Sequence, residues 1–301
     1  MKLSKFLNIH GNFDFLDVDV DTDTRMFLDP YLILTDDNPE SDRFKILIET
    51  FFTKVTSDYY SNYDISNLFD HFHEIKENRL GMSSYGSIQG NGTGSILSEE
   101  LMNEINKYLT LYPLCFKTLD ELSIFVKGIS NDRISDMTTS LCLKELISFT
   151  EKQLHKHRIS IPHAKRNFYI WDESSLKWSY KEYYLPLING DCLIMVPKKY
   201  CSTKVRLGSF QEFVNIGILG YLKENYKSFE IPPIYKPTNT GEFIEKNPTK
   251  KSIVEYYSNK GINVFNPVQL TEIINKHNLK EIMAHFNLKR NILTNKNAVT
   301  K

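Results

Sequence analysis

The chain has 301 residues, 41% apolar and 25% charged, which is enough to bury a sizeable core in one large domain or two smaller ones. Lysine plus arginine number 37 and aspartate plus glutamate also number 37, so the net charge is zero and a generally basic nucleic-acid coat is excluded. No stretch reaches the roughly 18 to 20 consecutive apolar residues of a membrane span.

The start, Met1-Lys-Leu-Ser-Lys, carries no apolar leader region, so a cytoplasmic protein with no membrane partner is expected. Cys115, Cys142, Cys192 and Cys201 form no Cys-x-x-Cys pair and read as buried free thiols. The zero total conceals a gradient. Residues 1–50 hold eleven acids against five bases, and residues 231–301 hold eleven bases against five acids. Nucleic acid, if bound, is therefore expected at the basic C-terminal region.

In chain order, Phe13 to Val20 alternates apolar and acidic residues as a strand does. Residues 43–60 follow helical spacing, with Phe44, Leu47, Ile48, Phe51, Phe52 and Val55 on one face. A glycine-rich stretch from Gly81 to Gly94 leads into a helix from Ser95 to Leu111. Thr118-Leu-Asp-Glu121 is a capping box for a short helix. A long helix is expected from Asp132 to about His157.

Strands follow at Phe168–Trp171, Trp178–Ile188 and Cys192–Val196, the last two joined by a turn at Asn189-Gly190-Asp191. A second capping box, Ser209-Phe-Gln-Glu212, heads a helix to about Tyr226. Asn266-Pro267 opens a further helix beyond Pro232-Pro233. The expected fold is α+β, with helices packed on a central sheet. A mixed main domain over residues 1–231 is followed by a small basic helical region over 232–301.

The acids of Asp17-Val-Asp19-Val-Asp21-Thr-Asp23 are not an EF-hand, since Thr22 and Leu28 occupy its glycine and final glutamate positions. Asp29 sits in an apolar segment, so it either caps a turn or points into a site. In Asp70-His-Phe-His73-Glu74-Ile-Lys76, the two imidazoles share a face only on a strand. Glu74-x-Lys76 matches the acid-x-lysine pattern of magnesium nucleases, in which the carboxylate holds the metal.

The loop GxxxGxGxG from Gly86 to Gly94 precedes a helix, so amides around Gly90 and Gly92 are candidates to cradle phosphate, although the Lys-Ser/Thr of a P-loop is missing. Asp132-Arg133-Ile-Ser-Asp136 places two carboxylates one helical turn apart, flanking a guanidinium suited to phosphate. Capping needs only one acid there. Lys198, after an apolar strand, is a candidate to orient water or stabilise charge on a phosphate.

Three segments together resemble an uncharacterised family of bacterial hypothetical proteins with no established activity. They are Phe27-Leu-Asp-Pro-Tyr-Leu, Gly128-Ile-Ser-Asn-Asp132-Arg-Ile-Ser-Asp136-Met-Thr-Thr and Leu193-Ile-Met-Val-Pro-Lys198. The resemblance covers roughly residues 13–205 and implies that Asp29, Asp132, Asp136 and Lys198 belong to one arrangement.

The functional expectation is a Mg2+-dependent phosphodiesterase or nuclease, of the kind found in bacterial anti-phage defence. Asp132, Asp136 and Lys198 would be catalytic. Asp29, Glu74, Asp132 and Asp136 would be the metal ligands, and Arg133, Gly90 and Gly92 would bind phosphate. The alternative is a non-enzymatic subunit that docks a partner protein or a second copy, with the Asp/Arg cluster serving as a structural ion-pair network.

Overall fold

The computed structural model describes residues 1–81, 99–111, 118–126, 129–205, 208–274 and 276–299. The chain divides into two compact units, Met1–Ile105 with Phe116–Leu207, and Asn106–Cys115 with Gly208–Lys301. The first unit opens on helix α1 (Leu3–Phe6), strand β1 (Phe27–Leu28), helix α2 (Pro30–Leu34), the long helix α3 (Pro39–Tyr60) and the short α4 (Ser66–Phe69). Helix α5 (Glu99–Leu111) is divided between the two units, and α6 (Leu119–Phe125) and α7 (Asn131–Lys156) follow in the first. The strands β2 (His163–Asp172), β3 (Lys177–Ile188), β4 (Asp191–Cys192) and β5 (Cys201–Ser202) complete it. The order β2-β3-β4 is antiparallel throughout, and β1 pairs with β5.

Asn38 and Pro39 start α3 in the way their types favour, with Asn38 Oδ1 accepting from Glu40 N at 3.0 Å and proline in the first turn. The six apolar residues spaced along one face of this helix are all buried. Phe51 is the hub of an aromatic cluster. Its ring lies 5.1 Å from that of Trp171, 5.2 Å from Phe72, 5.3 Å from Phe52 and 5.4 Å from Phe69, mostly edge to face. Both indole N–H groups are satisfied, by Thr50 Oγ1 and by the Leu68 carbonyl. The cluster joins α3, the loop after α4 and the β2–β3 hairpin.

Helix α7 is the central beam, and its hydroxyl residues tie flanking segments to it. Ser135 Oγ accepts from Leu28 N at 3.0 Å, Ser140 Oγ donates to the His73 carbonyl at 3.0 Å, and Thr150 Oγ1 accepts from Met195 N at 2.8 Å. These bonds replace sheet pairing. The strand expected over Cys192–Val196 is regular only at Asp191–Cys192; beyond it the backbone bonds to the Glu77 carbonyl and to Thr150. The strand expected from Phe13 to Val20 is likewise reduced to isolated bridges, Phe15 with Pro197 and Lys2 with Asp19. Its acids bond to side chains and the chain start instead, Asp14 to Lys156, Asp19 to the Met1 amino group, and Asp17 to both the backbone N and the hydroxyl of Ser4. The Asn189-Gly190 turn forms as expected, both residues at positive φ (53° and 89°).

The second unit carries α8 (Phe210–Glu212), a π-helical segment Phe213–Ile218 that continues into α9 (Leu219–Glu224), and the ribbon of β6 (Ile234–Pro237) with β7 (Phe243–Lys246). It ends in α10 (Lys250–Asn259), α11 (Pro267–Leu270) and α12 (Lys276–Val299). Ser209 caps α8 and Asn266 caps α11, as their positions predict. The boundary expected after residue 231 falls inside this unit, because Phe213 and Gly217 pack on Phe286. A Pro-Pro pair ends a helix without marking the edge of a packed body.

A Cβ on Gly217 would stand 3.1 Å from Phe286 Cβ and 3.2 Å from the Phe213 ring. Gly217→Ala should recover about 0.5–1 kcal/mol of helix propensity and lose about 1–3 kcal/mol to overpacking. A net loss of about 1 kcal/mol in urea unfolding is expected, and an unchanged midpoint would show that the neighbours give way.

The fold is α+β with small antiparallel sheets. Among the described residues, no helix is long and apolar enough to cross a membrane.

Candidate functional site

The site begins at the first turn of α7. The cap is Ser130, whose Oγ accepts from Arg133 N at 3.3 Å. Neither Asp132 nor Asp136 is therefore needed to start the helix. Asp132 lies exposed in the first turn, where the helix dipole favours an anion. Asp136 and Ser140 follow at one-turn intervals on the same face. Ser140 holds residue 73 by two bonds, donating to its carbonyl and accepting from its N–H at 3.4 Å. This clamp sets the next residue, Glu74, beside the acidic face of α7.

Burial pushes the Asp136 carboxyl up to about 8, and the negative charges of Asp132 and Glu74 push in the same direction. Among the described residues, no side chain hydrogen-bonds or ion-pairs with this carboxylate, neighbouring Arg133 included. Asp23 belongs to the same neighbourhood. Burial raises its pKa and Asp132 adds to the rise, while Arg79 and Lys76 oppose it. Three chain segments thus bring carboxylates together at one end of α7, and the basic groups nearby act on Asp23.

Beside the carboxylates, between the loop after α4 and the outer end of the β2–β3 hairpin, lies a cavity of about 340 Å³. His71, His73, Glu74, Asn167, Tyr169 and Tyr180 line it. The loop is not helical there. His71 and His73 therefore both reach the groove, while Phe72 between them is fully buried in the aromatic cluster. The His71 ring stacks on Tyr169 with centroids 3.9 Å apart and planes 20° from parallel. Burial and the neighbouring His73 lower the His71 pKa.

The expected site residues separate into two sets. Glu74, Asp132 and Asp136 come together, with Arg133 beside Asp132; Lys198 is engaged elsewhere, and Asp29, whose neighbour Leu28 bonds Ser135, is occupied as a helix cap. Lys198 lies over the Phe13 ring at 5.6 Å and beside Asp14, whose carboxylate is held by Lys156 in the last turn of α7. Lys198 is thus engaged through Asp14 with the C-terminal turns of α7, not with the acids of its first turn. Its apolar lead-in follows the length of α7 instead of ending in a sheet above the acids.

Asp29 is fully buried and caps α2, with Oδ1 accepting from Tyr31 N at 3.1 Å and Oδ2 from Ser202 Oγ at 3.3 Å. It acts on Cys201, whose thiol is pushed up to about 12 by burial and by that carboxylate. A helix cap surrounded by protein donors is not a ligand turned toward Asp136. Gly90 and Gly92 lie outside the described residues. Cys142, Cys192 and Cys201 are free thiols, and burial raises each of their pKa values, so none is an activated nucleophile.

No three His, Cys, Asp or Glu side chains among the described residues are placed to hold a metal ion by themselves. Asp132 and Asp136 form a two-carboxylate pair. That number suits Mg2+, which keeps several waters and completes its shell with substrate phosphate. The two imidazoles are flagged by sequence reasoning, which misses Asp23, Ser140, Asn167, Tyr169 and Tyr180 as residues of this site. Among these only Ser140 has a local signal, its spacing of four from Asp136.

A helical beam with an acidic first turn, set against a β-hairpin and a groove lined by aromatic side chains, defines the first unit as an α+β domain with a concave polar site. Residues 7–207 match the family model of a domain of unknown function, DUF8370, and the chain belongs to that family. No significant match was found among curated proteins or among solved structures. The matched span ends where the first unit ends and contains every residue of the site. The resemblance to an uncharacterised family agrees with this membership.

Proposed function

We propose that this chain is a Mg2+-dependent phosphodiesterase acting on nucleic acid, with its chemistry at the start of α7. The observation that carries the reading is the meeting of Asp132, Asp136 and Glu74, with no cation on Asp136 among the described residues and no capping duty for either aspartate. Like charges gathered without a counter-charge cost stability, and such an arrangement persists where a ligand or a reaction uses it. Asp132 and Asp136 would hold the ion, with Glu74 accepting from its water shell. The bound ion would supply charge neutralisation at the phosphate. Arg133, one residue from Asp132, is placed to bind a non-bridging phosphate oxygen. The basic C-terminal region adds long-range attraction for a polyanion.

Purified protein with Mg2+ or Mn2+ should cleave at least one of plasmid DNA, single-stranded DNA and RNA. Asp136→Asn should lower that rate by about 100-fold or more while the protein stays folded. Lys198→Ala, at the far end of α7, should leave the rate within about twofold. Cleavage of none of the three substrates, or an Asp136→Asn variant as active as the parent, would remove this reading and leave the protein-binding subunit.

A further inference from the structure

We propose that the groove beside Glu74 is a stacking site for an unpaired nucleobase, with Tyr180 as its exposed platform. The inference deepens the phosphodiesterase reading and rests on it only for the direction in which the bound strand runs.

Strands β2 and β3 pair Trp171 with Trp178, Tyr169 with Tyr180, Asn167 with Glu182 and Lys165 with Tyr184. Directly paired residues share a face of the ribbon, so these eight side chains form one continuous stripe. Its inner end, the two tryptophans, is closed by the Phe51 cluster. Its outer end is open: Tyr169 is 40% exposed, Tyr180 65% and Tyr184 61%. Tyr169 is covered on one side by His71, at 3.9 Å, and meets Tyr180 at 5.0 Å with the rings tilted by 52°. The Tyr180 ring is thus supported at its base while most of its surface faces solvent.

Three features name the occupant. The cavity is about 340 Å³, the scale of one base with its sugar, and it is walled by aromatic rings and an imidazole. Asn167 lies on the same stripe and lines the same cavity, and a carboxamide can both donate to and accept from a base edge. Lys76 lines the groove as a cation, whereas Glu74 and Glu77 turn phosphate away from its floor. A base stacked on Tyr180 would direct its phosphate past Glu74, the groove residue whose charge acts on Asp136. An apolar peptide would fit this lining poorly, since the floor carries two histidines and two carboxylates.

Binding of a fluorescent single-stranded oligonucleotide, measured by anisotropy in EDTA with the full-length protein, tests the site without cleavage. Tyr180→Ala should weaken binding about tenfold, the scale of one lost base stack, while Tyr180→Phe should bind like the parent. An abasic oligonucleotide of the same length should bind as weakly to the parent as the normal strand does to Tyr180→Ala. A nucleoside monophosphate that competes fully would identify a mononucleotide as the ligand, and failure to compete would identify a strand. Both outcomes keep the stacking site.

Equal binding of abasic and normal strands, an unaffected Tyr180→Ala variant, or no binding by either probe would overturn it. Because Tyr180 is largely exposed, an unchanged thermal transition is expected for both variants and guards against misfolding. Stacking without any cleavage in Mg2+ would sink the phosphodiesterase alone. Cleavage with a KM indifferent to Tyr180→Ala would sink the stacking site alone.

Discussion

Asp136→Asn should make the protein more stable than the parent, with a margin that grows as pH rises from about 4 to about 8. In the folded chain, burial and the charges of Asp132 and Glu74 raise the Asp136 pKa from the ordinary 3.8 to about 8. A group that holds its proton more tightly when folded contributes stability that is fully present below its unfolded pKa. That contribution is lost as pH climbs through the folded value. Each tenfold gain in proton affinity corresponds to about 1.36 kcal/mol, so the whole rise sets a ceiling of about 6 kcal/mol. Asp136 is only half-buried, and solvent screening reduces this to about 1–3 kcal/mol.

Asparagine has nearly the same shape and never ionises, so the difference between parent and variant isolates this one group from the other titrations. Asp23 titrates in the same sense, because its pKa is also raised, whereas His71 is lowered and works in the opposite direction. Urea unfolding at several pH values between about 4 and about 8 measures the difference. A margin that stays flat with pH would mean that the carboxylate is compensated, and with it the electrostatic case for a functional site would fall. A stabilising substitution that also abolishes cleavage would identify Asp136 as a residue kept for chemistry at a cost in stability.

Phe51→Ala should have the largest effect on the fold, about 3–5 kcal/mol of lost stability. The ring is fully buried and touches five other aromatic side chains across α3, the loop after α4 and the hairpin. Its removal leaves a cavity that rigid neighbouring rings cannot close. Phe51→Leu keeps more of the volume and should cost less. The chain has only two tryptophans, Trp171 and Trp178, and both belong to this cluster. Tryptophan fluorescence therefore follows the first unit alone, while circular dichroism follows both units. An unfolding midpoint for Phe51→Ala equal to that of Tyr60→Ala, a change on the exposed end of α3, would show that the cluster is not the hub of the core.

Helices α3, α7 and α11 are legible because their signals are local. Asparagine before proline sets the start of α11, and apolar residues at a spacing of three and four define the buried face of α3, whose own Asn38-Pro39 start lies four residues before the expected one. The Asn189-Gly190 turn is local in the same sense. The segments Phe13–Val20 and Cys192–Val196 read as strands because alternation and apolarity record burial, not the identity of the partner. Their partners are single residues and helix hydroxyls instead of strands.

Of the site, the Asp132–Asp136 pair can be read from its spacing, and Glu74 from its charged neighbourhood. The meeting of Glu74 with Asp136 depends on Ser140 binding the backbone of His73, sixty-seven positions away. No pattern within either segment encodes that bond. Lys198 shows the converse, since its segment accompanies the others in the resemblance yet its own bonds run to Asp14 and not to the acids of α7.

The sequence by itself determined the α+β class, the helix that carries the acids, and the charge difference between the two ends of the chain. These depend on composition and on spacings of a few residues. Tertiary structure decided which carboxylates share a site, that Asp29 is a cap, and that the tyrosines of the hairpin open onto a groove. The shared carboxylates, the groove and the Ser202 bond that occupies the second oxygen of Asp29 depend on contacts between residues tens of positions apart, where distance along the chain carries no information about distance in space.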